Sequence, residues 1–246
     1  MPRYKLTLEY DGTPFIGWQK QSGHLSVQGV VEDALKTALR KPVTVWGSGR
    51  TDAGVHALGQ VAHFETDTKV DCYRLFESLN ALVRPNPIVV RGIEPVADDF
   101  HARFSAKKRT YVYKIQNTRY PAVGLMEKRA WWVRLPLDIE KMQKAANLML
   151  GKHDFSTFRA SECQAKSPIK TLDSCDIKRN GDMVEIWVSA KSFLHHQVRN
   201  MAGALVRVGT GKWSVTDFEK AFNACDRTKG AETAPAHGLY FVEVKY

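Results

Sequence analysis

The chain has 246 residues, of which 43% are hydrophobic, 25% charged and 10% aromatic; this is ordinary for a globular protein and excludes a disordered one. Lys and Arg number 36 against 26 Asp and Glu, a formal net charge of +10, which points to polyanionic partners, nucleic acid before anionic membrane. No apolar run of about 18 residues is present, so a transmembrane helix is excluded. The opening MPRYKLTLEY lacks an apolar core of the signal-peptide kind, so no signal peptide is expected. Cys72, Cys163, Cys175 and Cys225 form no C-x-x-C pair and read as reduced, mostly structural thiols of a cytosolic protein.

Tyr4, Leu6, Leu8 and Tyr10 alternate and predict a half-buried strand. The loop DGTPFIGW follows, then helical periodicity at Val27, Val30, Val31, Ala34, Leu35, Ala38 and Leu39, with Ser26 as N-cap. Val43–Trp46 and Gln60–Phe64 read as strands, Cys72–Val83 as a helix stopped by Pro85 and Pro87, and Ile88–Ile93 as a strand. The first half thus has the order β-α-β-β-α-β, that of a split β-α-β or ferredoxin-like unit. In the second half, Lys108–Ile115 and Trp131–Val133 read as strands. A helix spans Ile139 to Leu150, with Asp138 as N-cap and Gly151 as stop. Leu172–Lys178 and Met183–Ala190 form a hairpin about Asn180-Gly181. Helices fit His196–Val208 and Val215–Cys225, the latter with a Ser214/Asp217 capping box, and LYFVEVKY closes the chain as a strand. The expected fold is α+β, in two related halves, 1–104 and 105–246, whose sheets are free to join.

The loop GSGRTDAGVHALG, from Gly47 to Gly59, carries Arg50, Asp52 and His56 among four glycines. Such a loop can hold polar groups against a ligand, although taken alone it reads more readily as a turn with a solvated Asp and Arg. It lacks the pattern of a phosphate-binding P-loop. His56 and the His195-His196 pair have no acid or thiol in metal-ligand spacing, so no metal is expected. Lys107, Lys108, Arg109, Lys114 and Arg119 are interleaved with Tyr111, Tyr113 and Tyr120, a composition suited to RNA backbone and unstacked bases. Tyr111 shares its parity with Tyr113 and Ile115, which by itself makes it a core strand residue.

Five blocks in register along the chain carry a resemblance: EYDGTPFIGWQ, GSGRTDAGVHALGQVAHF, DDFHARFSAKKRTYVYKI, FLHHQVRNMAGAL and APAHGLYFVEV. Together they resemble the tRNA pseudouridine synthase A family, which isomerises uridines at positions 38, 39 and 40 of the anticodon stem-loop. The resemblance implies two ferredoxin-like halves whose antiparallel sheets join around a central catalytic cleft. It also implies a cytoplasmic homodimer acting on tRNA, with neither membrane attachment nor a small-molecule cofactor. Residue by residue, it implies that Asp52 is the catalytic carboxylate and Arg50 turns out the target base. Tyr111 would pack on the uracil, Arg199 would pair with the aspartate, and Leu239 would be an apolar contact to the base. The competing reading is a non-catalytic RRM-like RNA-binding module, against which stands the absence of its aromatic stacking motif. A hydrolase using Asp52 would ordinarily need a second carboxylate.

Overall fold

The structure, a computed structural model, describes residues 1–121 and 124–246. Among these are ten strands and five α-helices, an α+β chain. It divides into two compact units: the first holds Met1–Lys107 and Phe241–Tyr246, the second Lys108–Tyr240.

In the first unit the elements run β1 (Arg3–Tyr10), α1 (Val27–Leu39), β2 (Val45–Gly47), β3 (His56–Glu65), α2 (Cys72–Leu82) and β4 (Ile88–Val96), the predicted order. Strand β1 is central and antiparallel to both β3 and β4, with Leu6 opposite Ala62 on one side and Ile93 on the other. Strand β2 pairs with β3, Val45 facing Phe64, so the order is β4-β1-β3-β2. The alternation of β1 works as expected: Tyr4, Leu6, Leu8 and Tyr10 are buried, and each fully buried Leu contributes about 1.5–3 kcal/mol. Ser26 caps α1 through the Gly29 N–H. Helix α2 lies on β4, where the Asn80 amide takes up both backbone groups of Val90, donating to its carbonyl and accepting from its N–H. This satisfies backbone that the sheet leaves open.

The second unit contains β5 (Lys108–Gln116), β6 (Trp131–Trp132), α3 (Ile139–Asn147), β7 (Gly151–Asp154), β8 (Ile169–Asn180), β9 (Met183–Ala190), α4 (Gln197–Gly209) and α5 (Val215–Asn223). Strands β5-β9-β8-β7 are antiparallel neighbours, and β6 lies parallel to β5. Helices α3, α4 and α5 pack on one another, and α4 is buried along most of its length. The Asp138 cap and the Ser214/Asp217 capping box form as read. The last strand, β10 (Leu239–Lys245), begins in the second unit and finishes in the first.

Several boundaries differ from the expectation. Strand β3 starts at His56, four residues early, because the apolar side of Val55-His56-Ala57 is buried despite the nearby glycines. Helix α3 ends at Asn147, and Gly151, read as a helix stop, opens β7 with φ +91°. The β8–β9 turn is one residue further along than read: Asn180 pairs with Met183, and Gly181 at φ +55° is its first central residue.

Candidate active site

The segment 48–55 links β2 to β3 and is held from both sides. Beneath it, Ser48 N–H donates to the Val61 carbonyl at 2.7 Å, and Ser48 Oγ donates to Gln60 Oε1 at 2.7 Å. Gln60, fully buried, donates in turn to the Gly49 carbonyl at 2.9 Å. The Tyr10 hydroxyl meets Thr51 Oγ1 at 2.8 Å in a buried contact. Burial pushes the Tyr10 phenol up to about 12, its hydrogen bonds to Thr51 and Gln60 pulling the other way, so it stays a neutral strut at any working pH.

The other side is clamped by the loop after β1. Trp18 N–H donates to the Thr51 carbonyl at 3.0 Å, and Gly17 forms an isolated antiparallel bridge with Asp52. Gly17 sits at φ +113°, and a Cβ there would stand 2.5 Å from the Thr51 carbonyl oxygen, so only glycine allows this approach. Asp52 then opens a tight turn, Val55 N–H donating to its carbonyl at 3.1 Å, with Gly54 at φ +76°, a conformation that a side chain would strain. The result fixes the backbone of Asp52 and leaves the residue half-buried.

Arg50, two residues earlier, is exposed and is aimed by a relay of amides. Arg50 Nε donates to Gln19 Oε1 at 3.0 Å, Gln19 Nε2 to Gln28 Oε1 at 2.8 Å, and Gln28 Nε2 to Glu32 Oε1 and the Val45 carbonyl, both at 3.0 Å. His56 is buried, with Nδ1 3.1 Å from the Gly12 N–H donor and 3.0 Å from Asp11 Oδ1, the contacts of a structural histidine.

The remaining candidates lie in the second unit. Tyr111 on β5 is 8% exposed and meets the edge of Phe193, with ring centroids 5.2 Å apart and planes at 86°. Arg199 on α4 donates through Nε to the Ala234 carbonyl at 2.9 Å, while Ala234 N–H returns a bond to the Arg199 carbonyl at 3.2 Å. Next to it, buried Asn200 donates to the Phe158 carbonyl at 2.9 Å and accepts from Thr233 Oγ1 at 2.7 Å and from Arg227 at 3.2 Å. Gly203 lets the chain at Glu232 press against α4, where a Cβ would collide with the Glu232 carbonyl. The segment 231–235 is therefore laced to the helix face that carries Arg199. It leads into Leu239, which is 7% exposed at the start of β10. Tyr113 anchors the same segment, its hydroxyl donating to the Pro235 carbonyl at 2.7 Å. Burial raises the Tyr113 phenol well above its ordinary range, and the Arg199 charge opposes that. Burial likewise lowers His237; the Ala130 backbone contact offsets this in part, and Arg199 and Lys128 lower it further.

The basic and aromatic cluster around β5 does not present one face. Arg109 is buried, donating to the Lys191 carbonyl, and Lys114 lies over the Tyr240 ring at 4.5 Å. The His195 and His196 rings are 4.0 Å apart, and His196, at φ 60°, starts α4. His195 N–H donates to Cys163 Sγ at 3.4 Å. Burial would raise the Cys163 thiol, but the Ala165 and His195 N–H groups and Arg159 outweigh it, so its pKa is lowered. All four cysteines are free. Sequence reading did not single out Gln19, Gln28, Gln60, Asn200 or Arg227; Gln19, Gln60 and Asn200 fall inside the motif blocks, their only visible signal, and Gln28 and Arg227 fall outside them.

Comparison with known proteins bears on the whole of this arrangement. A family model described as tRNA pseudouridine synthase matches residues 7–105 and 145–246. A protein named tRNA pseudouridine synthase A from Paramagnetospirillum magneticum is 54% identical over 246 residues, covering 100% of this chain and 96% of that protein. One of the same name from Xanthobacter autotrophicus is 53% identical over 246 residues, all of both chains. Another, from Brucella ovis, is 49% identical over 248 residues, covering 100% of this chain and 98% of its own. Identity at this level over the full length, through both the clamped aspartate loop and the laced α4 segment, places the chain in the tRNA pseudouridine synthase family.

Proposed function

We propose that Asp52 is the nucleophile with which this chain converts uridine to pseudouridine in tRNA, at positions 38, 39 and 40 of the anticodon stem-loop. The reaction breaks the C1′–N1 glycosidic bond, turns the uracil and rejoins it through C5. The product has the same atoms as the substrate, so the atom balance calls for neither redox cofactor nor cosubstrate. A carboxylate suits the task, since an ordinary aspartate has a pKa of about 3.9 and is already an anion at neutral pH. The supporting observation is the rigid mounting of Asp52: its backbone is bridged to Gly17 and locked by the Tyr10–Thr51 contact, which is how a reacting group is held in position before substrate arrives.

Arg50, aimed by Gln19, takes the place of the stacked base or holds a phosphate, for which a planar cation is suited. Tyr111 offers its ring to the uracil and its hydroxyl to proton transfer at C5. Arg199 supplies a fixed positive charge, and Leu239 an apolar contact to the base. The strand order β4-β1-β3-β2 supports reading the first unit as ferredoxin-like, and we extend that reading to the second. The working unit is a cytoplasmic homodimer. No described helix is long and apolar enough to cross a membrane.

The test is incubation with uridine-containing anticodon stem-loop RNA followed by nucleoside analysis. Pseudouridine is the expected product. An unchanged nucleoside would indicate a binding module, and free uracil with an abasic site would indicate a hydrolase; either overturns the proposal.

A further inference from the structure

Away from Tyr111, at the far end of β5, the second unit carries a cavity of about 580 Å³ whose lining includes Asn117, Arg119, Arg134, Leu135, Pro136 and Arg179. Three arginines are among its lining residues, and no carboxylate among the described residues lines it. Arg179 is built in, donating to Asn117 Oδ1 at 2.8 Å and to the Leu137 carbonyl at 3.3 Å. Asn117 ties the walls together: its amide donates to the Val133 and Leu135 carbonyls at 2.8 and 2.7 Å, and its oxygen also accepts from Leu137 N–H at 3.2 Å. The groove is thus preformed, while Arg119 and Arg134 are exposed and make no hydrogen bond or ion pair among the described residues. Exposed cations lining one groove give it a positive potential that favours an anionic partner.

We propose that this groove binds the phosphodiester backbone of tRNA, as a contact separate from the reacting uridine. The neighbouring aromatics favour RNA over a small anion. Tyr120, next to Arg119, is 68% exposed, and Trp132 is 37% exposed with its indole N–H on the Thr118 carbonyl at 3.0 Å. Open guanidinium groups beside exposed rings suit backbone and unstacked bases, whereas a small-anion pocket would enclose its ligand. Six residues of extended chain separate Tyr111 from Asn117, about 20 Å at roughly 3.3 Å per residue. The inference rests on tRNA being the substrate and on Tyr111 meeting the base.

The test is tRNA binding across a salt series for Arg119→Ala/Arg134→Ala and for the polar version Arg119→Gln/Arg134→Gln, with the thermal midpoint recorded as a check on folding. Affinity at about 0.1 M salt is expected to fall on the order of tenfold and the logarithmic salt slope to shrink by about 2, one for each phosphate no longer neutralised. The double variant Lys36→Ala/Lys144→Ala removes the same charge from exposed positions on α1 and α3 and should do clearly less; an equal loss would reduce the groove to general charge and overturn the proposal. So would unchanged affinity and slope. Titration with inorganic phosphate covers the remaining case: tight binding abolished by the arginine changes, with tRNA affinity unmoved, would identify a small-anion site instead. Nucleoside analysis of the unsubstituted protein reports on the proposed activity separately, so the two readings fail in different experiments.

Discussion

Asp52 and Tyr111 make different demands on their surroundings, and the substitutions that probe them differ accordingly. Asp52→Asn keeps the size and the backbone bridge to Gly17 but removes the anion. Pseudouridine formation is expected to be abolished while tRNA affinity stays within a few-fold, because affinity arises from many Lys and Arg contacts; turnover by a clean preparation would remove Asp52 from the role. At Tyr111 the ring and the hydroxyl separate. Tyr111→Phe retains the face set against Phe193 and should still bind substrate, losing the proton-transfer step, whereas Tyr111→Ala should lose both. Equal binding defects in the two variants would show that the hydroxyl does the positioning. Neither role was legible from residue pattern alone. The alternation of β5 makes Tyr111 a core residue, which its 8% exposure bears out, and a glycine loop with one Asp reads as a turn. Only the five motif blocks together pointed to chemistry, because a nucleophile is defined by partners distant in sequence and not by local periodicity.

Elements were more legible where side chains alternate between water and core. Strand β1 has period 2 throughout, and β9 was read with its observed limits, Met183–Ala190. Short polar strands gave no such signal: β7 is Gly151–Asp154, with no apolar alternation to mark its pairing with β8. Invisible too was the close approach of the 231–235 segment to α4, since Gly203 in a helical pattern reads as a mild defect. The structure makes it a requirement, and Gly203→Ala is expected to destabilise the second unit by about 1–3 kcal/mol through overpacking. It should also lower activity further than stability explains, by displacing the Ala234 partner of Arg199. By contrast Ser214→Ala, which removes the α5 cap, should cost about 1 kcal/mol and leave the kinetics unchanged. Urea unfolding alongside steady-state rates separates these outcomes; a Gly203→Ala protein of native stability and rate would refute the packing argument.

At the scale of the whole molecule, protons and charge set the working range. Burial, helped by His101 and Arg3, lowers the His63 imidazole from 6.5 to about 4, and burial also lowers His101 and His237. Folded His63 stays neutral above about pH 4 but takes up a proton near its ordinary pKa of 6.5 when unfolded, so between about pH 4 and 6.5 the unfolded chain binds more protons, and the lowering of His101 and His237 acts in the same direction. Stability should therefore rise with pH across that window, and His63→Gln, which keeps an acceptor for the Ala102 N–H, should make the rise shallower. Charge leads to the assembly. A tRNA presents its anticodon arm far from its elbow, and one chain of 246 residues with net charge +10 is small for holding both while a stem is opened. A two-fold dimer doubles the charge and lengthens the cationic track, and each phosphate contact releases counterions, so affinity should fall steeply with salt. Light scattering at working concentration is expected to give twice the chain mass, and tRNA binding a logarithmic salt slope of several units. Full activity of a monomer on intact tRNA would refute the dimer, while a dimer with a flat salt response would refute the charge argument and leave the assembly standing.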